Sequence, residues 1–164
     1  SPRVMAVLDP LKLTIVNYPE DKTETLEGEI NPHNPNDGKR QLPFSKHLYI
    51  EKEDFKEDAT RKFFRLSLGK EVRLKNAYII KAESIVKDPE GNIKEVLCTY
   101  DPESKSGSGS DASKRKVKGT LHWVTQRDSI NAEVRIYDRL FNISAPDKEL
   151  SLIHILTLPT SSVV

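Results

Sequence analysis

A reversal near the middle of the chain constrains the fold more than any other feature. Asp88, Pro89, Glu90, Gly91 and Asn92 form a compact run of turn-forming residues between two alternating segments, 78–86 and 93–100. Proline presets one backbone dihedral, while glycine and asparagine accept the left-handed conformation that tight reversals need. The two segments must therefore return on each other as an antiparallel hairpin. The rest of the chain keeps the same rhythm. Strand-like segments at 4–8, 11–16, 25–30, 47–50, 64–68, 71–74, 116–125 and 133–137 alternate with breaks rich in Pro, Gly and Asn. Short strands at this spacing predict an all-β protein, an antiparallel β-barrel whose closure removes exposed sheet edges.

One helix interrupts the strands. Asp54 and Glu57 have capping-box spacing, acidic residues crowd the start, and Arg61 and Lys62 stand at the far end, where they complement the helix dipole. Phe55 and Ala59, four apart, would face the core. Residues 31–38, reading NPHNPNDG, predict an irregular exposed loop. The Ser- and Gly-rich residues 104–113 predict a mobile hairpin tip with no fold of its own.

Several chemistries have no support in the residues. No glycine-rich phosphate loop follows a strand, and the GxSxG, HExxH and paired CxxC motifs are missing, so no catalytic residue and no metal site is predicted. His33, His47, His122 and His154 lack metal-ligand spacing. Cys98, the single cysteine, lies in the apolar run VLCTY and reads as a small buried hydrophobe. No run approaches the roughly eighteen apolar residues of a membrane span, and no signal-peptide pattern opens the chain, so a cytoplasmic location is the expectation.

Overall charge says little, because 26 Lys and Arg stand against 25 Asp and Glu. Local charge says more. From Arg61 to Lys81 there are seven basic residues and one acid, Glu71, and a second basic run holds Lys114, Arg115, Lys116 and Lys118. In RKFFR, residues 61–65, guanidinium groups that can fork onto phosphate or guanine adjoin rings that can stack on an unpaired base. That combination suits single-stranded RNA. It equally suits a half-buried strand, with Val72 and Leu74 facing one way, Arg73 and Lys75 the other, and at least one of Phe63 and Phe64 in the core.

Ordered strings narrow the choice. PRVMAVLDPLKLTIVNY (2–18), RQLPFSKHLYIEKEDF (40–55), GKEVRLKNAYIIKAE (69–83), KRKVKGTLHWV (114–124) and VRIYDRLF (134–141) follow one another along the chain. Together they resemble the C-terminal anticodon-binding β-barrel region of the glutaminyl-tRNA synthetase family, class I aminoacyl-tRNA synthetases. The resemblance implies an all-β, antiparallel barrel that binds the anticodon loop of glutamine tRNA, with no role for DNA or membrane. The family's HIGH-like and KMSKS-like signatures are absent, which implies a fragment without the catalytic domain and with no cofactor of its own. ATP and Mg2+ would belong to the parent enzyme, itself expected to be monomeric.

The resemblance also implies a division and a site. Residues 1–137 would form an incomplete proximal barrel, and residues 138–164 the start of a distal barrel with a truncated or atypical tail. In the family, strands returning from the distal barrel complete the proximal one, so an open edge and self-association through it are expected. Arg3 matches an arginine that meets the central anticodon base, Arg65 one that reads the third base, and Arg73 one associated with the first base or its phosphate. Pro32 falls on the loop lying against that same nucleotide. His33, Lys62 and Phe64 occupy anticodon-facing positions where the family pattern has Asn, Gln and Lys. Lys70, Lys75 and Lys116 would position the phosphate backbone. The tail HILTLPTSSVV departs from the family's pattern. Two alternatives remain: the related barrel of an archaeal or eukaryotic-type glutamyl-tRNA synthetase, against which the MAVLDP opening argues, and a protein-interaction barrel whose arginines make ordinary surface ion pairs.

Overall fold

The computed structural model describes residues 4–135 and the backbone of Ser161–Val163. The central hairpin forms as its turn residues require. β6 (Ile79–Lys87) and β7 (Ile93–Tyr100) pair antiparallel. In the turn, the Asp88 carboxylate accepts the backbone N–H groups of Glu90 and Asn92, each at 2.9 Å, and Gly91 takes φ +87°. Register shifts near Ser84 and Lys87 bend this long hairpin, and such irregularities increase the twist a curling sheet needs.

Around it gathers a seven-stranded sheet. β1 (Pro10–Ile15) lies between β7 and β4 (His47–Glu51), while β5 (Glu71–Leu74) flanks β6. The edges are β8 (Thr120–Leu121), beside β5, and β9 (Val124–Thr125), beside β4. Only His122 and Trp123 separate these two edge strands along the chain, a span of at most about 11 Å. The sheet must therefore curl strongly and bring its two edges close, a half-barrel in keeping with the barrel-like architecture expected. Two pairings, β1 with β7 and β5 with β8, are parallel, so the sheet is mixed rather than wholly antiparallel. β2 (Glu24–Glu29) and β3 (Lys39–Phe44) form a separate antiparallel pair, as do β10 (Ala132–Val134) and β11 (Ser161–Val163).

The core fills the curl. Leu11, Leu13 and Ile15 of β1, Leu48 and Ile50 of β4, and Val72 and Leu74 of β5 are buried by simple alternation. Phe44 is the hub of an aromatic cluster, with ring centroids 5.2 to 5.3 Å from Tyr18, Tyr78 and Trp123. Trp123 sits at the seam, where its Nε1–H donates to the Lys75 carbonyl at 2.8 Å and so ties the closing segment to the end of β5. Cys98 is fully buried in this core, and burial pushes its thiol up.

Five local expectations are corrected. Residues 4–8 do not form a strand; instead the N–H groups of Leu8 and Asp9 donate to the Glu51 carboxylate. The 54–62 helix is absent: a 3-10 turn covers Lys52–Asp54, and Phe55 is already extended. Leu66 N–H donates to the Asp54 carbonyl and Lys56 N–H to the Leu66 carbonyl, so long-range pairing takes groups a helix would have used locally. Residues 64–68 contribute isolated bridges, Phe55 with Leu66 and Leu68 with Ala82, rather than a continuous strand. The one short α-helix among the described residues is α1 (Asp111–Lys114), where the sequence suggested a shapeless tip. The expected strand 116–125 appears as β8 and β9, broken where it passes from one sheet edge to the other.

Candidate nucleic-acid interface

Two stretches carry most of the predicted site residues: residues 61–75, running into β5, and residues 113–119, running into β8. The parallel β5–β8 pairing sets Arg73 opposite Thr120, and Arg73 N–H donates to the Gly119 carbonyl at 2.9 Å. Gly119 also presses against the loop before β5. A Cβ added there would lie 2.2 Å from the Phe64 carbonyl oxygen, so only glycine permits this approach. Phe64 and the second basic run are thereby neighbours.

The arginines are held differently. Arg65 is half exposed, and its Nη1 donates to Asp54, a carboxylate that is largely buried. Burial pushes the Asp54 carboxyl above the usual carboxylate range, and the Arg65 charge opposes that shift. Arg73 is more committed. Its Nη1 donates to the Ser104 carbonyl at 2.9 Å and to Ser106 Oγ at 3.0 Å, while Nη2 donates to the Ser113 carbonyl at 2.7 Å. Burial and the nearby Arg115 charge make its guanidinium somewhat easier to deprotonate than an exposed one. Arg73 therefore fastens the 104–113 segment to β5. Arg115 pins the far side of the same segment through ion pairs to Glu71 and Asp101.

Neither adjacent phenylalanine is buried in the core, contrary to the sequence expectation. Phe64 is 53% exposed, with Lys118 Nζ 5.8 Å from its ring centroid. Phe63 is partly buried, with Lys56 Nζ at 5.1 Å. The chain turns sharply at Thr60, whose carbonyl accepts from Phe63 N–H, so the rings leave the alternation a strand would impose. Among the described residues, Arg61, Lys62, Lys70, Lys75, Lys116 and Lys118 make no ion pair with a carboxylate. Their charge remains available to an anion.

Pro32 and His33 sit on the exposed loop between β2 and β3. This loop is built: Asp37 accepts from the side-chain amides of Asn31 and Asn34, each at 2.8 Å, and a 3-10 turn spans Pro35–Asp37. Arg3 lies outside the described residues. Lys118 and Gly119 were not singled out as site residues from the sequence. The available signal was a glycine directly after a basic run, where the backbone can approach another segment closely.

Comparison with known proteins agrees with this architecture. Residues 1–101 match the family described as tRNA synthetases class I (E and Q), anti-codon binding domain, and residues 120–164 match a second family of the same description. The glutamine–tRNA ligase of Rhodopirellula baltica is 56% identical over 147 residues, covering 90% of this chain and 24% of that protein. That of Alteromonas mediterranea is 53% identical, covering 91% of this chain and 26% of its own length. For Clostridium kluyveri the figures are 52%, 85% and 25%. The chain thus spans about a quarter of the length of the curated relatives it matches. On the strength of its curled sheet and these matches, the chain belongs to the anticodon-binding domain family of the class I tRNA synthetases for glutamate and glutamine.

Proposed function

We propose that this chain grips and reads the anticodon loop of a glutamine tRNA on behalf of a ligase that joins glutamine to that tRNA in the cytoplasm. ATP and Mg2+ would be handled by the part of the relatives' length that this chain does not span. The observation that carries the reading is the set of lysines on 62–75 and 116–118 that make no ion pair with a carboxylate, together with exposed Phe64, beside which the Gly119 contact sets Lys118. Lys62, Lys70, Lys75 and Lys116 would set the register on phosphates, a sequence-independent and salt-sensitive contribution. Arg65 would turn from Asp54 toward a guanine edge, and Arg3, Pro32 and His33 would complete the loop's enclosure. Arg73, engaged by backbone carbonyls, would reach a base or phosphate only by releasing the 104–113 segment.

The bacterial glutamine–tRNA ligases among the relatives favour glutamine over glutamate as the cognate amino acid. A division at residue 137 and self-association through a sheet edge belong to the same set of proposals; light scattering at rising concentration tests the latter. The direct test of function is titration with anticodon stem-loops of glutamine tRNA carrying single anticodon substitutions at several salt concentrations. Arg65→Ala should relax preference at one base, while Lys75→Ala should weaken all sequences alike and flatten the salt slope. Affinity indifferent to the anticodon would contradict specific reading and leave the protein-interaction alternative.

A further inference from the structure

Lys118 lies outside the set of residues for which the family resemblance implied a role, yet several independent contacts fix its position. Its neighbour Gly119 is wedged against the Phe64 carbonyl, and the Gly119 carbonyl accepts the Arg73 N–H. Upstream, the Arg73 guanidinium holds the Ser113 carbonyl, and Arg115 is anchored by Glu71 and Asp101. The short segment between these anchors has little freedom, and it sets Lys118 Nζ 5.8 Å from the centroid of the Phe64 ring. Phe64 nevertheless keeps 53% of its surface open. An exposed phenylalanine is poorly placed for stability, since it gains little burial, and a cation over one face leaves the remaining surface for another planar group.

We propose that Lys118 and Phe64 form a cation-backed aromatic platform on which one unpaired nucleobase of the bound RNA stacks, with Gly119 as the residue that allows the two parts to meet. This rests on the RNA-binding reading above. Stacking on an aromatic ring tolerates any base, because every base has a π face, so the platform holds a splayed nucleotide while other residues read its edge. The lysine contributes twice: its charge faces the electron-rich ring, and it lies within reach of the phosphate that joins the stacked base to its neighbour. Phe63 is the internal contrast. It also has a lysine over its ring, but it is partly buried and offers less surface to a ligand.

The test uses the full chain and anticodon stem-loops of glutamine tRNA sequence, each with 2-aminopurine at one loop position, whose fluorescence falls on stacking. The wild-type chain should quench at least one position. Phe64→Leu should abolish that quench and weaken binding about tenfold. Lys118→Met should weaken binding about threefold, with Lys118→Arg restoring it. The double variant Phe64→Leu/Lys118→Met should lose less than the product of the two single losses, since the lysine acts in part through the ring. Persistence of the quench in Phe64→Leu, or full additivity of the two losses, would overturn the platform while leaving RNA binding intact. Failure of the wild-type chain to bind any stem-loop would overturn the RNA reading and the platform with it.

Discussion

Residues 56–64 and residues 104–113 are both polar, both lie at the surface, and both defeat local propensity in opposite directions. The first follows Asp54, which has capping-box spacing to Glu57, and carries dipole-matched charges, yet it forms no helix. The second is rich in serine and glycine, yet it is laced into the fold. Ser104 is fully buried; its Oγ accepts from Ile79 N–H at 2.8 Å and donates to the Asp101 carbonyl at 2.6 Å. Ser106 N–H reaches the Ala77 carbonyl, and Ser110 caps α1 by accepting from Ser113 N–H. The difference lies in where the partners come from. Small hydroxyl side chains satisfy distant backbone groups in 104–113, whereas in 56–64 the neighbouring strand-like pairing of Leu66 takes the Asp54 carbonyl and leaves aromatic and basic side chains facing outward. One region uses its polar groups internally; the other leaves most of its charged side chains at the surface.

Substitutions can break that contrast in a definite order. Gly119→Ala should have the largest effect, because its Cβ would meet backbone rather than a movable side chain. A loss of about 2 to 3 kcal/mol is expected in urea denaturation, as for other overpacked sites. Arg73→Ala should follow at about 2 kcal/mol, since the Ser104 and Ser113 carbonyls lose a charged donor. Hydrogen exchange should then accelerate at Ser106 and at Ile79, whose amide depends on the placement of Ser104. Unchanged protection there would show that 104–113 holds itself.

Arg65→Ala should cost less, about 1 kcal/mol at neutral pH, because the arginine is half solvated. Its pH dependence is diagnostic. Burial already raises the Asp54 carboxyl in the folded state, so the native protein binds that proton more readily than the unfolded chain. Asp54 therefore favours folding most when protonated, and it becomes a cost as pH rises through its raised pKa. Removing Arg65 should enlarge that cost, so the variant's deficit should shrink as pH falls and Asp54 becomes neutral. A constant deficit would mean that Arg65 acts by packing alone. The smallest effect belongs to a site apart from both regions. Glu20 is held below the usual carboxylate range first by its hydrogen bond with His47 and then by Lys46. It supports the fold above the ordinary carboxylate pKa and loses that role as pH falls through the lowered value. Being exposed, Glu20→Gln should barely move the unfolding midpoint.

Much of this was legible in the sequence because strand alternation and turn chemistry are local. β5 and β7 have the expected bounds, and the reversal at residues 88–92 forms as its residues demand. The barrel class followed from the count and spacing of strands. What escaped was set by long-range partners. The parallel pairing of β1 with β7 depends on a neighbour more than eighty residues away. The missing helix depends on Leu66, and the order of 104–113 depends on Arg73, a residue whose position suggested a base reader. Arg65 and the basic lysines are singled out by pattern and resemblance, whereas Lys118 and Gly119 gain meaning only once Phe64 is seen beside them.

The central claim is that the lysines of 62–75 and those of 116–118 act as one anion-binding surface. Neutralising Lys62, Lys70 and Lys116 together to methionine, and following stem-loop affinity against salt, tests it most directly. For a single-stranded loop each phosphate contact contributes about 0.7 to the slope of log affinity against log salt, so the triple variant should lose about 2 units of slope. Lys39→Met, which removes a lysine already paired with Glu27, should leave the slope unchanged. Equal slopes for the wild-type chain and the triple variant would contradict the account.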